Sequence, residues 1–444
     1  MNTHNKVVTR MAPSPTGKFH VGGVRTALYN YLHARKHNGT FIIRSEDTDK
    51  ERSKKEYEDN MLAVFDWLGL EYDAFYRQSE RTDTYISYIQ KLVDKGSAYE
   101  AESSKDNPEA AVIRFKNPNI EITFDDAILG SISFNTEELG DFVIARTISE
   151  PLYHLTVVVD DHEMGITHVI RGQEHVNNTA RQILIQEALG FDRPVYAHIP
   201  LIMSPRGGKL SKRDPEVIPA LEYRDKGYLK EALINFLAYI GWNPGDDREL
   251  ITLDELVQSF DINRVQKGGG VFNIDKLNWL NKQYLAQKDD DSFMQYLEPL
   301  LPEITAIPGY SEEQLRNILP VVREKITMYD DIHTMIEDGE LGMYFKQPQY
   351  DRSNITWKKS TYEEAVRHLT HINEILESHS ITAWTADNLK AELFPYADQE
   401  GRGDVLWPLR YALSGRDKSP DPFTLLGLLG KEESLRRIQY ALEK

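Results

Sequence analysis

The residues best suited to chemistry cluster in two stretches far apart in the chain. The first is Arg10-Met-Ala-Pro-Ser-Pro-Thr-Gly-Lys-Phe-His20-Val-Gly-Gly23. His20 is placed to donate hydrogen bonds to phosphate oxygens. Gly22 and Gly23 lack a β-carbon, so a flat base or a ribose could approach the backbone closely. The second stretch is Pro205-Arg-Gly-Gly-Lys209-Leu-Ser-Lys212-Arg213. Lys209 and Lys212 would act as point charges against phosphate, and a loop of this composition could close over a polyphosphate. Each stretch also has a plainer reading, as a tight turn carrying a surface histidine and as a basic surface loop. The three-glycine spacing of dinucleotide-binding turns is absent.

Further polar groups fall at the ends of apolar runs. Thr40-Phe-Ile-Ile-Arg44 ends in Ser45-Glu46-Asp47-Thr48-Asp49. An acidic strand end could hold an ammonium group or a hydroxyl; taken alone, it reads better as a helix cap. Pro151 to Val159 reads as another strand, with Asp160, Asp161 and His162 at its end. Thr167-His-Val-Ile-Arg171 runs into Gly172-Gln173-Glu174-His175. His162, His168 and His175 lack a recognised metal-ligand spacing, so no metal site is expected.

The elements needed to position these groups are those of an α/β sheet. Val7 and Val8 lead into the first stretch, and a helical pattern over 24–37 leads out of it. Residues just beyond the carboxyl ends of parallel strands face a ligand crevice, and helix N-termini there favour phosphates. Helical spacing recurs over 53–68, 82–95 and 177–189. Between 98 and 150 the texture becomes β-rich, with short runs at 111–115, 120–124 and 128–134. From 228 onward the pattern is mainly helical, with helices expected at 228–240, 252–260, 274–284, 361–379, 386–394, 403–413 and 432–442.

Composition bounds the class. The chain has 444 residues, 40% of them hydrophobic, and no cysteine, which excludes disulfides, thiolate metal sites and cysteine nucleophiles. No apolar run reaches the roughly 20 residues of a membrane helix, and residues 1–9 have no signal-peptide core. A cytoplasmic protein is expected. A net charge of −18 argues against gripping nucleic acid by bulk electrostatics, so any such partner must meet local basic tracks.

Taken together, Pro13-Ser-Pro-Thr-Gly17, His20-Val-Gly-Gly23 and Lys209-Leu-Ser-Lys212-Arg213 resemble the paired signatures of class I aminoacyl-tRNA synthetases. The glutamyl family of bacterial type is the best match. Arg44-Ser-Glu-Asp-Thr-Asp49, Tyr153-His154, Val169-Ile-Arg-Gly-Gln-Glu-His175, Tyr239-Ile-Gly-Trp242 and Pro408 to Gly415 fit in order along nearly the whole chain. Two departures stand out. The general pattern ends in histidine where this chain has Gly23. The acceptor-stem insert, which in some members binds zinc through cysteines, is cut short at 101–110.

The resemblance implies a Rossmann-like parallel-sheet catalytic domain in two halves, 1–97 and 151–203, around a short β-rich insert, 98–150. A stem-contact domain, 204–305, and an α-helical anticodon-binding domain, 306–444, would follow. It implies glutamate activation by ATP with Mg2+, without structural zinc, and transfer to the terminal ribose of tRNA(Glu) by a monomer. His20, Lys209 and Lys212 would stabilise the phosphates. Ala12, Gly22, Glu174, His175 and Leu201 would line the ATP pocket. Arg10 and Arg171 would hold the γ-carboxylate, with Ser14 and Tyr153 adding hydroxyls and Glu46 taking the ammonium. Arg323, Lys325 and Arg410 would meet the anticodon. An enzyme that also charges tRNA(Gln) would share these motifs, and Lys325 does not separate the two.

Overall fold

A computed structural model describes residues 6–104, 107–210, 214, 217–378, 381 and 383–444, with side chains 103–110 left aside. The chain falls into two units, Met1–Asn281 and Lys282–Lys444. No helix among the described residues is long and apolar enough to cross a membrane.

In the first unit, β1 (Val8–Met11), β2 (Thr40–Ser45) and β3 (Ala74–Arg77) lie side by side and parallel. Parallel neighbours need crossovers, supplied by α1 (Val21–Lys36) and α2 (Lys55–Leu68). Helix α1 starts three residues before the apolar pattern at Val24, because the His20 side chain caps it by accepting from the Gly22 N–H. Its last turn carries His33, Arg35 and Lys36, which suit the negative end of the helix dipole.

Helix α3 (Thr82–Asp94) leads to β4 (Ala98–Ser104), β5 (Asn107–Phe115), β6 (Glu121–Asp126), β7 (Gly130–Asn135) and β8 (Phe142–Ala145). Then come α4 (Tyr153–Glu163), β9 (His168–Gly172), α5 (Val176–Leu189) and β10 (Val195–Ile199). Strands β4, β5 and β8 form an antiparallel sheet of their own. The β6–β7 hairpin leaves that sheet: β6 lies parallel to β10, with Asp126 opposite Tyr196, in the order β7-β6-β10-β9. The β-rich segment therefore extends the catalytic sheet as well as building a separate one.

The two parallel blocks meet at Thr167. Its N–H donates to the Val8 carbonyl at 3.0 Å, and its hydroxyl accepts from the Val8 N–H at 2.8 Å. A side chain thus stands in for a ladder bond between β1 and β9. Strand order reverses at this join, which is where an open α/β sheet opens its ligand crevice.

One expected strand is a helix. Tyr153 to Glu163 forms α4, although Val157-Val-Val159 favours a strand locally. Leu155, Thr156, Val157, Val158 and Val159 are all buried, so no polar face advertises a helix. Helix propensity differs by less than about 1 kcal/mol per residue, and packing against the surrounding elements overrides it.

The remaining helices that begin in the first unit are α6 (Ala220–Asp225), α7 (Lys230–Tyr239), α8 (Leu253–Ser259) and α9 (Ile274–Ala286), the last running past Asn281. Thr252 and Glu255 form a capping box at the start of α8. The Tyr29 hydroxyl lies 3.1 Å from the Ala238 carbonyl and 3.0 Å from that of Ile240, which ties α1 to the end of α7.

The second unit is built from helices α10 (Asp290–Leu297), α11 (Leu301–Thr305), α12 (Glu312–Lys325), α13 (Tyr329–Glu337), α14 (Tyr362–Glu377), α15 (Ala386–Glu400), α16 (Arg402–Ser414) and α17 (Pro422–Leu442). Gly430, at φ 75°, breaks α17 into two pieces, which is why its second half alone shows a clean pattern from Glu432. Buried Arg437 ties this unit together by donating to the carbonyls of Met343, Leu413 and Lys346.

Candidate active site

The ends of β1, β2, β9 and β10 open into one cavity of about 670 Å³. Arg10, Ala12 and Ser14 reach it from β1 and the loop beyond. His20 and Gly22 reach it from the start of α1, and Glu46 from the end of β2. Tyr153 opens α4, Arg171, Glu174 and His175 follow β9, and Leu201 and Lys209 follow β10; all line the same space. Lys212 lies outside the described residues, as do Ser211 and Arg213.

Two buried charge systems reach the cavity through Arg10, Glu46 and Arg171. In the first, Asp161 of α4 accepts from Arg10 Nε at 3.1 Å and Nη2 at 3.3 Å, and from Arg44 Nη1 at 2.8 Å. Arg44 also donates to Glu46 Oε1 at 3.1 Å and lies 3.7 Å from Asp160. Asp160 in turn accepts from Arg81 Nε at 2.7 Å, Tyr85 at 2.8 Å and Gln78 at 2.9 Å. Burial alone would raise the Asp161 carboxyl; Arg10 and Arg44 outweigh it and hold the group below the usual carboxylate range. The helical form of α4 makes this possible, because it delivers Asp160 and Asp161 together to three arginines.

The second system surrounds Arg171, which is 6% exposed. Its Nε donates to His198 Nε2 at 3.1 Å and its Nη2 to Thr179 Oγ1 at 2.8 Å. Its Nη1 is buried and has no hydrogen-bond partner among the described residues. Burial pulls this guanidinium below the ordinary arginine value. Neutral groups therefore surround the cation directly, and one donor is left over for a ligand.

Two imidazoles, those of His20 and His175, also line the cavity. His20 Nδ1 accepts from the Gly22 N–H at 3.2 Å, which leaves Nε2 as the ring's donor. His175 Nδ1 lies 3.1 Å from the Tyr153 hydroxyl and 3.2 Å from Asn178 Nδ2. Burial and then the charge of Arg171 push His175 down to about 4. Arg25, not singled out from sequence, lines the cavity and anchors α1 by donating to the carbonyls of Pro200 and Ile240.

Gly23 now has a physical reason. A β-carbon there would lie 2.6 Å from the Phe19 ring. The histidine of the general signature cannot be accommodated while Phe19 fills that place.

A family model described as tRNA synthetases class I (E and Q), catalytic domain, matches residues 6–109 and 100–279. A second, the anticodon binding domain, matches 292–442. Glutamate–tRNA ligase 1 of Alkalilimnicola ehrlichii is 38% identical over 99% of this chain and 98% of its own length. Glutamate–tRNA ligase of Bacillus licheniformis is 36% identical over 99% and 100%. The chain belongs to the glutamyl-tRNA synthetases of class I.

The fold agrees with that of a solved synthetase. The glutamate tRNA ligase of Elizabethkingia meningosepticum, crystallised in complex with its amino acid, superposes with a TM-score of 0.87 at 33% identity, covering 99% of this chain and 100% of the other. The two catalytic-domain matches meet at 100–109, where β4 turns into β5.

The residues expected to meet an anticodon lie in the second unit. Arg323 and Lys325 end α12, where Arg323 pairs with Asp290 over the Phe293 ring and Lys325 pairs with Glu340. Arg410 of α16 lies over Trp407 and donates to the Asp417 carbonyl at 2.8 Å.

Proposed function

We propose that this chain couples L-glutamate to tRNA(Glu) in two steps at the cavity described above. The glutamate α-carboxylate attacks the α-phosphate of ATP, releasing pyrophosphate and forming glutamyl-adenylate. A hydroxyl of the terminal tRNA ribose then attacks that anhydride. Neither step needs a protein nucleophile; the protein contributes position and positive charge where negative charge develops. The observation that carries the reading is the unpartnered Nη1 of buried Arg171, in a cavity shared with Arg10 and Glu46.

In this reading Arg171 and Arg10 hold the γ-carboxylate, aided by Tyr153 and Ser14. Glu46, already at 3.1 Å from Arg44, takes the ammonium. Ala12, Gly22, Glu174, His175 and Leu201 line the adenosine and ribose side. His20, Lys209 and Lys212 meet the phosphates. Among the described residues no group of three or more carboxylates and imidazoles is set to hold a metal ion. Magnesium would enter on the ATP phosphates and its own water. Arg323, Lys325 and Arg410 would exchange their present partners for the anticodon. The enzyme would work as a monomer in the cytoplasm.

The test is pyrophosphate exchange and tRNA charging with purified tRNA(Glu) and tRNA(Gln). Glutamate should be charged onto tRNA(Glu), and Lys212→Ala should lower the activation rate by about 100-fold, as for loss of one preorganised donor. Near wild-type exchange in that variant would overturn the assignment of the loop.

A further inference from the structure

The β6–β7 hairpin reaches the amino-acid pocket through a buried chain of three groups. Asp126 ends β6, and its carboxylate is fully enclosed. Oδ1 accepts from the N–H groups of Ile128 at 3.0 Å and Leu129 at 2.8 Å, and both oxygens lie within 3.2 Å of the His198 N–H. Oδ2 also sits 2.6 Å from His198 Nδ1. Across the same ring, His198 Nε2 lies 3.1 Å from Arg171 Nε.

These contacts fix the tautomer of His198. A guanidinium can only donate, so Nε2 must accept and the ring proton must sit on Nδ1, where it is donated to Asp126. The carboxylate thereby makes the imidazole an acceptor for Arg171. Thr179 holds Nη2 at 2.8 Å. With Nε and Nη2 both engaged, the plane of the guanidinium is set and Nη1 is the edge left to a ligand.

We infer that Asp126 and His198 are positioning residues for amino-acid recognition, orienting Arg171 toward the side-chain carboxylate of the substrate. Asp126 lies in the segment that resembles the family's acceptor-stem insert, so that segment helps to shape the amino-acid pocket. The inference rests on the reading of Arg171 as a substrate ligand.

The experiment compares His198→Asn, His198→Gln and Arg171→Ala in tRNA charging, with KM for glutamate and ATP measured separately. Asparagine places its amide near the former Nδ1 and keeps Asp126 engaged, but cannot reach Arg171. Glutamine can present a carbonyl oxygen near the former Nε2. His198→Asn should raise KM for glutamate about 10-fold, as for one lost hydrogen bond to a charged group, with KM for ATP unchanged. His198→Gln should recover most of that loss. Asp126→Asn is the independent second variant. Its amide nitrogen would donate to Nδ1, drive the ring proton to Nε2 and face it against Arg171, reproducing the rise.

Equal effects of asparagine and glutamine, or equal losses for glutamate and ATP, would overturn the positioning role. So would an Asp126→Asn enzyme with unchanged KM for glutamate. An Arg171→Ala enzyme with unchanged KM for glutamate would instead overturn the underlying reading of the pocket.

Discussion

Replacing Asp161 by asparagine tests whether the buried ion network sets the pocket proposed for the amino acid. In the wild type, Oδ1 accepts from both Arg10 Nε and Arg44 Nη1, while Oδ2 faces Arg10 Nη2 at 3.3 Å. Asparagine keeps the acceptor at Oδ1 but puts an N–H₂ against Arg10 Nη2, so two donors meet. Arg10 should turn away while Arg44 stays near its place. Breaking one buried pair costs about 3–5 kcal/mol, and the retained acceptor favours the lower end. For a unit of this size about 3 kcal/mol corresponds to a drop of roughly 6 °C in the melting midpoint. Displacement of Arg10 should also raise KM for glutamate by about 10-fold while KM for ATP holds.

Calorimetry and tRNA charging are the assays for this variant. The pH dependence adds a check. The carboxyl of Asp161 is depressed in the folded state, so its stabilisation is fully present above the unfolded value of about 3.9. It is lost only as pH falls through the lower folded value. The difference in stability between wild type and variant should thus stay constant from neutral pH down to about 4 and shrink below it. A variant with wild-type melting and wild-type KM for glutamate would refute the argument, because the pair would then hold neither the fold nor Arg10.

Two further outcomes follow from packing and from the histidines. Gly23→His would drive its β-carbon into the Phe19 ring and should cost about 1–3 kcal/mol of stability, read as a lower melting midpoint, rather than improve catalysis. Burial holds His33 down to about 3, and His154 and His175 down to about 4, so they stay neutral in the folded state while the unfolded chain protonates near 6.5. The unfolded state then binds more protons between about pH 6.5 and 4, and stability should fall steadily across that window in denaturant titrations.

The crevice was legible in the sequence because parallel strands expose their ends in a regular way. Arg10, Glu46 and Arg171 each follow an apolar run, and those runs are β1, β2 and β9. The run over Val157 to Val159 misled because it is buried all round, and a helix without a polar face looks like a buried strand. That error hid the task of Asp160 and Asp161, which as a strand end would point apart on opposite faces. Arg44 was visible only as the end of a strand, since its partners Asp160 and Asp161 lie more than a hundred positions away. Asp126 and His198 are 72 positions apart, and only the departure of the β6–β7 hairpin from the β4, β5 and β8 sheet brings them together.

The charges in the pocket give the specificity argument its form. Arg10, Arg44 and Arg81 are matched by Asp160, Asp161 and Glu46 in direct ion pairs. Among the described residues Arg171 hydrogen-bonds to His198 and Thr179 and has no ion pair, and burial holds His198 below its ordinary value, so the ring facing that guanidinium is neutral. Of these four guanidiniums, the one without a direct counter-charge thus carries a spare donor at Nη1. A substrate carboxylate would supply both the charge and the acceptor. A carboxamide in its place supplies the acceptor without the charge and brings a second donor against Arg10 or Arg171. Rejection of glutamine would then arise from the protein's own uncompensated cation, and no separate editing site would be required for it.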